Sequence, residues 1–376
     1  MKQKRIGIDC RLIDETGVGV YIQNLLTFLP YNTPDIDWFF FSSSKGAEKI
    51  SKIVPKDGGT IHITSVRWHS VSEQTIFLKN ILDCNLDLMH FTYFSFPILY
   101  PRPFVITIHD ITTFSFKTGQ ATTLNPLLYE LKHVGYKLVL KTAMVRASSI
   151  ITPSNAVKNE IIDRFGTSLK DKITITHEGV DKNLLNSPSD DSLKKKYSTP
   201  FLVRLGNFYP HKNIEKLISA FSLIHTDVKL ILAGPNDFFA SRMQELADAV
   251  LNKDSILFHF NPTAQQRVFF YKNALALIQP SLTEGFGLPI IEAQYFKCPV
   301  IASRIPVFEE LLGDSYNYYF NPHDTDSMQK TITTFLGSHK KRIISDSVDE
   351  NLVKKFSFKR MAGETFAVYS SILYEN

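Results

Sequence analysis

Short apolar runs alternate with amphipathic stretches along almost the whole chain. Ile6-Gly-Ile-Asp9, Trp38 to Phe41, Ile61 to Thr64, Leu88 to Phe91, Phe104 to Ile108 and Ile150 to Thr152 are rich in β-branched and aromatic residues. Near-continuous apolar runs of this length read as parallel strands buried on both faces. Between them, Tyr21 to Leu29, about Asn125 to Arg146 and about Ser154 to Phe165 space their apolar residues as helices do. The pattern breaks at Asn186 to Ser192, where turn formers and charge replace apolar periodicity, which predicts a linker over 186–199. The alternation then restarts with strands at Phe201 to Leu205, Lys229 to Ala233, Ile256 to Phe258, Leu275 to Gln279, Pro299 to Ala302 and Tyr316 to Phe320. Helices are expected between them, ending near Ile224, Val250 and Lys272, and one amphipathic helix is expected from Phe356 to Tyr374. This predicts an α/β protein of two Rossmann-like, doubly wound domains facing a central cleft. The expected boundaries are 1–185, the linker 186–199, 200–355, and a final segment 356–376.

Length and composition agree with two domains: 376 residues, 44% hydrophobic and 21% charged, are ordinary for globular chains and exclude bulk disorder. The three cysteines, Cys10, Cys84 and Cys298, are too few and too scattered for a disulfide scaffold or a metal site, so a reducing cytoplasm is the default expectation. The amino terminus reaches Asp9 after few apolar residues, which argues against a signal peptide. The apolar, uncharged run Leu88 to Pro101 has fourteen residues, short of the ~18 a membrane span needs. A net charge of +5 favours phosphates or an anionic membrane face but is small for a nucleic-acid binder. The basic runs Lys194-Lys195-Lys196 and Lys340-Lys341-Arg342 lack interleaved aromatics and read as solvated surface.

The strongest chemical signal is Pro280-Ser-Leu-Thr-Glu284-Gly285-Phe286-Gly287-Leu288-Pro289-Ile-Ile-Glu292, a strand exit running into a helix. Pro289 suits the first helical position, and Leu288, the N-cap on that reading, has no side chain to cap the first-turn amides. Such amides bind phosphate with the help of the helix dipole. Glu284 and Glu292 flank this anion site, an arrangement that makes sense if they accept hydrogen bonds from hydroxyl groups. A bland role for Glu292, favouring the helix start by ~0.3–1 kcal/mol, competes with that reading. Leu205-Gly206-Asn207-Phe208-Tyr209-Pro210-His211-Lys212-Asn213 repeats the strand, turn and helix order, and Lys212 near a helix start suits a facing phosphate better than the macrodipole. In the first half, Gly17-Val-Gly19 follows a strand, with Thr16 as a plausible N-cap. Ile22 stands where a dinucleotide fingerprint needs its third glycine, which argues against a nicotinamide oxidoreductase. His109-Asp110 ends a strand and faces the cleft, and His177-Glu178 lies near another strand end.

Assembled, these motifs resemble the retaining glycosyltransferases of family four, which have the two-domain GT-B fold. The segment Glu284 to Glu292, with seven residues between its paired glutamates, carries the resemblance. Cys298-Pro-Val-Ile-Ala-Ser303, Leu205 to Asn213, Thr107 to Asp110, Thr152 to Asn155, His177 to Asp181 and Gly17 to Gly19 support it. The resemblance implies a nucleotide-sugar donor in the second domain, an acceptor in the first, and a final helix crossing back to the first. It makes Glu284, His109 and Lys212 the catalytic candidates. Gly17, Gly19, Asn207, Gly285, Phe286, Gly287, Leu288 and Glu292 become the donor-binding candidates, with Glu292 on the ribose. Many members place an arginine directly after the glycine of the Gly206 turn; here that position is Asn207.

The expected reaction is metal-independent transfer of a hexose, mannose foremost, to a glycan or lipid-linked acceptor in surface-polysaccharide assembly, with anomeric retention and no cofactor beyond the nucleotide-sugar. A non-catalytic sugar-nucleotide or polysaccharide-binding protein, or an epimerase or hydrolase, on the same scaffold are the rival readings. Nucleic acid is not an expected partner. Tyr129 to Lys141 mixes basic and apolar residues, so a cytoplasmic protein in peripheral contact with the inner membrane is a further expectation, against an ordinary half-buried helix.

Overall fold

A computed structural model of the chain describes residues 3–112, 126–339 and 350–374. It divides into two compact units, one formed by Met1–Glu178 with Ser357–Asn376, the other by Gly179–Phe356. The basic run 340–342, Asn125 and the side chain of Lys132 lie outside the described residues.

The first unit is built on seven strands, β1 (Lys4–Asp9), β2 (Ile36–Ser42), β3 (Thr60–Ile63), β4 (Leu88–Phe91), β5 (Phe104–Thr107), β6 (Ser149–Thr152) and β7 (Ile173–Ile175). Every pairing is parallel, in the order β3-β2-β1-β4-β5-β6-β7. The run Trp38-Phe-Phe-Phe41 shows why the sequence is apolar without alternation. Phe39 and Phe41 enter the core with Phe77, Met89, Phe91 and Phe104. Trp38, on the opposite face, meets Phe366 and Tyr369 of the helix Phe358–Tyr374 at ring distances of 6.3 and 6.2 Å. Both faces are covered, so both sets of positions must be apolar. The last helix also lies along the helix Val18–Phe28. Tyr369 OH is 2.5 Å from Nδ1 of the fully buried His90, whose Nε2 is 2.7 Å from Thr107 Oγ1.

The second unit holds β8 (Phe201–Leu205), β9 (Lys229–Gly234), β10 (Ile256–Phe260), β11 (Ala276–Gln279), β12 (Val300–Ser303) and β13 (Tyr319–Phe320), again parallel throughout, in the order β10-β9-β8-β11-β12-β13. Its core joins Leu202, Leu230, Leu232 and Ile278 to Leu217 and Phe221 of the helix Ile214–Ser222 and to Met328, Ile332 and Phe335 of the helix Thr325–Ser338. The expected strand from Tyr316 shrinks to Tyr319–Phe320, because Tyr316 turns its hydroxyl onto the Val300 backbone instead.

The segment 186–199 is not a free linker, and the first unit ends at 178 in place of 185. The helix Lys182–Leu185 packs on the helix Ala264–Asn273, Leu193 is buried, and Tyr197 donates or accepts at 2.8 Å with His259 while its ring meets Phe201, Phe269 and Phe270. These anchors fix the segment to the second unit, leaving Lys194, Lys195 and Lys196 on its surface. At the far end, the helix Glu350–Lys355 packs on the helix Leu288–Tyr295, and Phe356 meets Phe286 at 5.7 Å, so the final helix begins only at Phe358.

Candidate active site

In an open parallel sheet the ligand crevice lies at the carboxyl ends of the strands where the order reverses. In the second unit that point is between β8 and β11, which run side by side with Val203 opposite Leu277. The two strongest motifs are the segments leaving these two strands. They are bound to each other: Leu282 N–H donates to the His211 carbonyl at 2.8 Å, and Asn213 Nδ2 donates to the carbonyls of Pro280 (3.0 Å) and Pro322 (2.9 Å).

This clamp brings Lys212 to Glu284. Lys212 Nζ donates to Glu284 Oε2 at 2.7 Å, while Ser281 Oγ (2.7 Å) and Gln279 Nε2 (3.1 Å) donate to Oε1. Both side chains are largely buried, 15% and 10% exposed. Burial, the largest single influence, pushes the Glu284 carboxyl upward. The charge and hydrogen bond of Lys212, with His211 and Ser281, outweigh it and hold the group below its ordinary value. Glu284 is therefore a fixed carboxylate at the mouth of a helix.

That helix, Leu288–Tyr295, begins one residue earlier than the sequence suggests. Gly287 is the N-cap at φ 101°, so Leu288 is the first helical residue and Pro289 the second. A side chain at 287 would be strained by that backbone, and its Cβ would lie 2.9 Å from the Phe308 ring. No side chain caps the helix, as expected. Phe286 is buried against Phe356. Glu292 is also buried, and its carboxylate accepts from Arg267 Nη2 at 2.6 Å on both oxygens and from Tyr271 OH at 2.5 Å. Neither partner was foreseen from the sequence. Their helix, Ala264–Asn273, carries no motif and lies 21 to 25 residues away.

Beneath the Gly206 turn lies Arg204, wholly buried in β8. Its guanidinium is 3.5 to 3.7 Å from where a Cβ on Gly206 would stand. Gly234, at the end of β9, lets the turn pass, since a Cβ there would come within 2.1 Å of the Gly206 carbonyl. Asn207 Oδ1 is buried without a hydrogen-bond partner among the described residues.

The remaining candidates belong to the first unit, around the reversal between β1 and β4. Gly17, not Thr16, is the N-cap of the helix Val18–Phe28; Thr16 accepts through its carbonyl from Val18 N–H and makes no side-chain cap. Gly19 sits in the first turn, where a Cβ would meet the Ile13 carbonyl at 2.7 Å. His109 Nε2 donates to the Thr92 carbonyl at 3.1 Å, Nδ1 lies 3.2 Å from Glu178 Oε1, and the ring meets Tyr21 edge-on at 4.7 Å. The weaker Glu178 signal thus becomes the partner of His109. Sequence reasoning missed one cluster here: Arg11 binds Asp9 through Nε and Nη2 and Glu73 through Nη2 at 2.7 Å, with Phe77 beneath its guanidinium at 3.7 Å. Glu73 also accepts from Ser95 Oγ at 2.7 Å.

Comparison with known proteins agrees with this organisation. Residues 16–184 match the family described as Glycosyltransferase Family 4, and residues 188–344 match Glycosyl transferases group 1. The O-antigen chain mannosyltransferase RfbU of Salmonella typhimurium is 28% identical over 85% of this chain and 84% of its own. The chain belongs to the glycosyltransferases of the GT-B fold. O-antigen chain mannosyltransferase B of Escherichia coli is 26% identical to this glycosyltransferase over 70% of the chain and 69% of its own. Among solved structures, sucrose-phosphate synthase of Thermosynechococcus elongatus superposes on the glycosyltransferase with TM-score 0.75 at 17% identity, covering all of both chains. Anabaena HepE, in complex with UDP and glucose, gives 0.75 at 15% identity, over 98% of this chain and all of its own. At these identities the two structures speak to the fold. In each unit of the glycosyltransferase, taken by itself, the candidate residues gather around the reversal of that unit's own sheet.

Proposed function

We propose that the protein transfers a hexose, mannose foremost, from a nucleoside-diphosphate sugar to a glycan or lipid-linked acceptor with retention at the anomeric carbon and without a metal ion. The observation that carries this reading is the buried Lys212–Glu284 pair beside a helix start with no side-chain cap, at the reversal of the second sheet. The names of the mannosyltransferase relatives support the choice of sugar, and the family resemblance supports retention.

On this reading the bond between the anomeric carbon and the diphosphate oxygen breaks, and its electron pair stays on the phosphate. The acceptor hydroxyl forms the new bond on the same face of the sugar and gives its proton to the departing phosphate. Charge builds on that phosphate, where Lys212 and the first-turn amides stabilise it; one well-aimed donor can be worth ~3–4 kcal/mol. Glu284 then releases Lys212 to the phosphate and accepts from sugar hydroxyls, acting as a positioner. Glu292, already engaged by Arg267 and Tyr271, has the remaining lone pairs of its carboxylate for the ribose. His109, Gly17 and Gly19 are the candidates within the first unit, on the family resemblance.

The test is mass spectrometry of the protein incubated with a panel of nucleotide-sugars and lipid-linked glycan acceptors, with and without EDTA. The expected result is release of one nucleoside diphosphate, a glycan heavier by one hexose in the same amount, and no effect of EDTA; NMR of the product reads the anomeric configuration. Nucleotide release with free hexose as the only product, or a strict metal requirement, would overturn the reading.

A further inference from the structure

Arg204 is a cation in a place that strands seldom tolerate. It is wholly buried inside the apolar run Phe201 to Leu205, and Nε, Nη1 and Nη2 have no hydrogen-bond partner among the described residues. Burial pulls the guanidinium down to about 10, opposed by the charge of Glu284, which places it in the electrostatic reach of the Lys212–Glu284 pair. Arg204, Lys212 and Glu284 together carry one net positive charge. Two further polar atoms in the same pair of strand exits, Asn207 Oδ1 and Gln279 Oε1, are also without partners among the described residues. Above the guanidinium stands Gly206, exposed and without a side chain to cover it.

We propose that Arg204 is the second cation of the diphosphate subsite, drawing the nucleoside diphosphate onto the Gly206 turn from beneath. It does from within β8 what the neutral Asn207, the residue after Gly206, lacks the charge to do. The inference rests on the reading that the second unit holds a nucleoside diphosphate. Although the Phe208 ring lies 5.7 Å from the Arg204 guanidinium, a buried charge without hydrogen bonds is costly in the free protein, whereas an apolar side chain of similar size in its place is commonly neutral or stabilising. A residue kept for a ligand and a residue kept for the fold therefore answer an apolar substitution in opposite ways.

The experiment titrates ADP, GDP and UDP, and the three monophosphates, into the full chain as wild type, R204M and R204K by calorimetry, and measures the melting temperature of each protein without nucleotide. Wild type is expected to bind one diphosphate more tightly than its monophosphate. R204M should lose at least about tenfold in affinity for that diphosphate while the monophosphate changes by less than about twofold. Free R204M should melt at or above the wild-type temperature, and R204K should regain most of the diphosphate affinity. Unchanged discrimination between diphosphate and monophosphate in R204M would overturn the proposal. So would a lower melting temperature with equal losses for both nucleotides, which marks a purely structural arginine. If wild type binds none of the three diphosphates, the underlying reading fails first and takes the inference with it.

Discussion

Glu284 keeps its negative charge in surroundings that would by themselves protonate it, because Lys212, Ser281 and Gln279 all donate to its two oxygens. Glu284→Ala removes the acceptor and leaves Lys212 unpaired; transfer measured by product formation should fall by about 10²-fold or more with the far-UV circular dichroism unchanged. Near wild-type turnover in that variant would remove Glu284 from the site. The pH dependence follows from its lowered folded-state value. The stability gained from its ionisation is complete above the unfolded value of 4.5 and is lost as the pH falls through the lower folded one. Glu284→Gln should therefore be less stable than wild type at pH 7, with a gap that is smaller at pH 3, below the unfolded value, where the unfolded wild-type chain takes up the proton more readily than the folded one. Urea unfolding at the two pH values checks this, and a constant gap would contradict it. The Glu284 and Lys212 motifs were legible because each follows a strand and carries its own glycine and proline punctuation. Arg267 and Tyr271 were not, since a contact made by an unmarked helix leaves no local trace. Arg204 did leave one: a charge inside an apolar strand run.

At the scale of elements, the helix Pro126–Arg146 divides its faces unevenly. Leu140, Ala143 and Met144 enter the core, whereas Val134, Leu138 and Val145 are 63%, 58% and 61% exposed, with Lys141 exposed beside them. Apolar side chains interleaved with lysine suit the interface of an anionic bilayer. The chain should co-sediment with vesicles containing anionic lipid and not with neutral ones, and replacing Lys137 and Lys141 by glutamate should abolish it; equal binding to both vesicle types would rule out this face. Most strands were legible because parallel strands covered on both sides are apolar at every position, as in Trp38 to Phe41. β7 was not, for Ile173-Thr-Ile175 is too short to stand out. The 186–199 boundary misled because polar composition at 186–192 hides two buried anchors, Leu193 and Tyr197.

For the whole molecule, the two units have separate cores and should answer separate perturbations. His90 is held neutral in the first: burial, then the neighbouring His109, brings it down to about 3. Its folded value lies below the unfolded one, so its contribution is complete above about pH 6.5 and declines as the pH falls from there toward 3. Tyr369→Phe removes the hydroxyl that meets His90 Nδ1 and should cost about 1–2 kcal/mol. In scanning calorimetry, acid and Tyr369→Phe should both lower the transition of the first unit, while a bound nucleoside diphosphate raises that of the second. A single transition moved equally by all three would show that the units unfold as one.

The second unit is one unbroken stretch of chain, whereas the first is made of Met1–Glu178 and Ser357–Asn376. During synthesis the seven strands of the first unit emerge early, but the helix that covers Trp38 and His90 follows only after the whole second unit. At ~5–20 residues per second, that interval is on the order of ten seconds or more. Throughout it an aromatic face of the nascent sheet stands open to chaperones and to neighbouring chains. A stop codon anywhere in the second unit would make that exposure permanent, so truncated chains should be cleared by proteolysis even when every catalytic candidate of the first unit has been made.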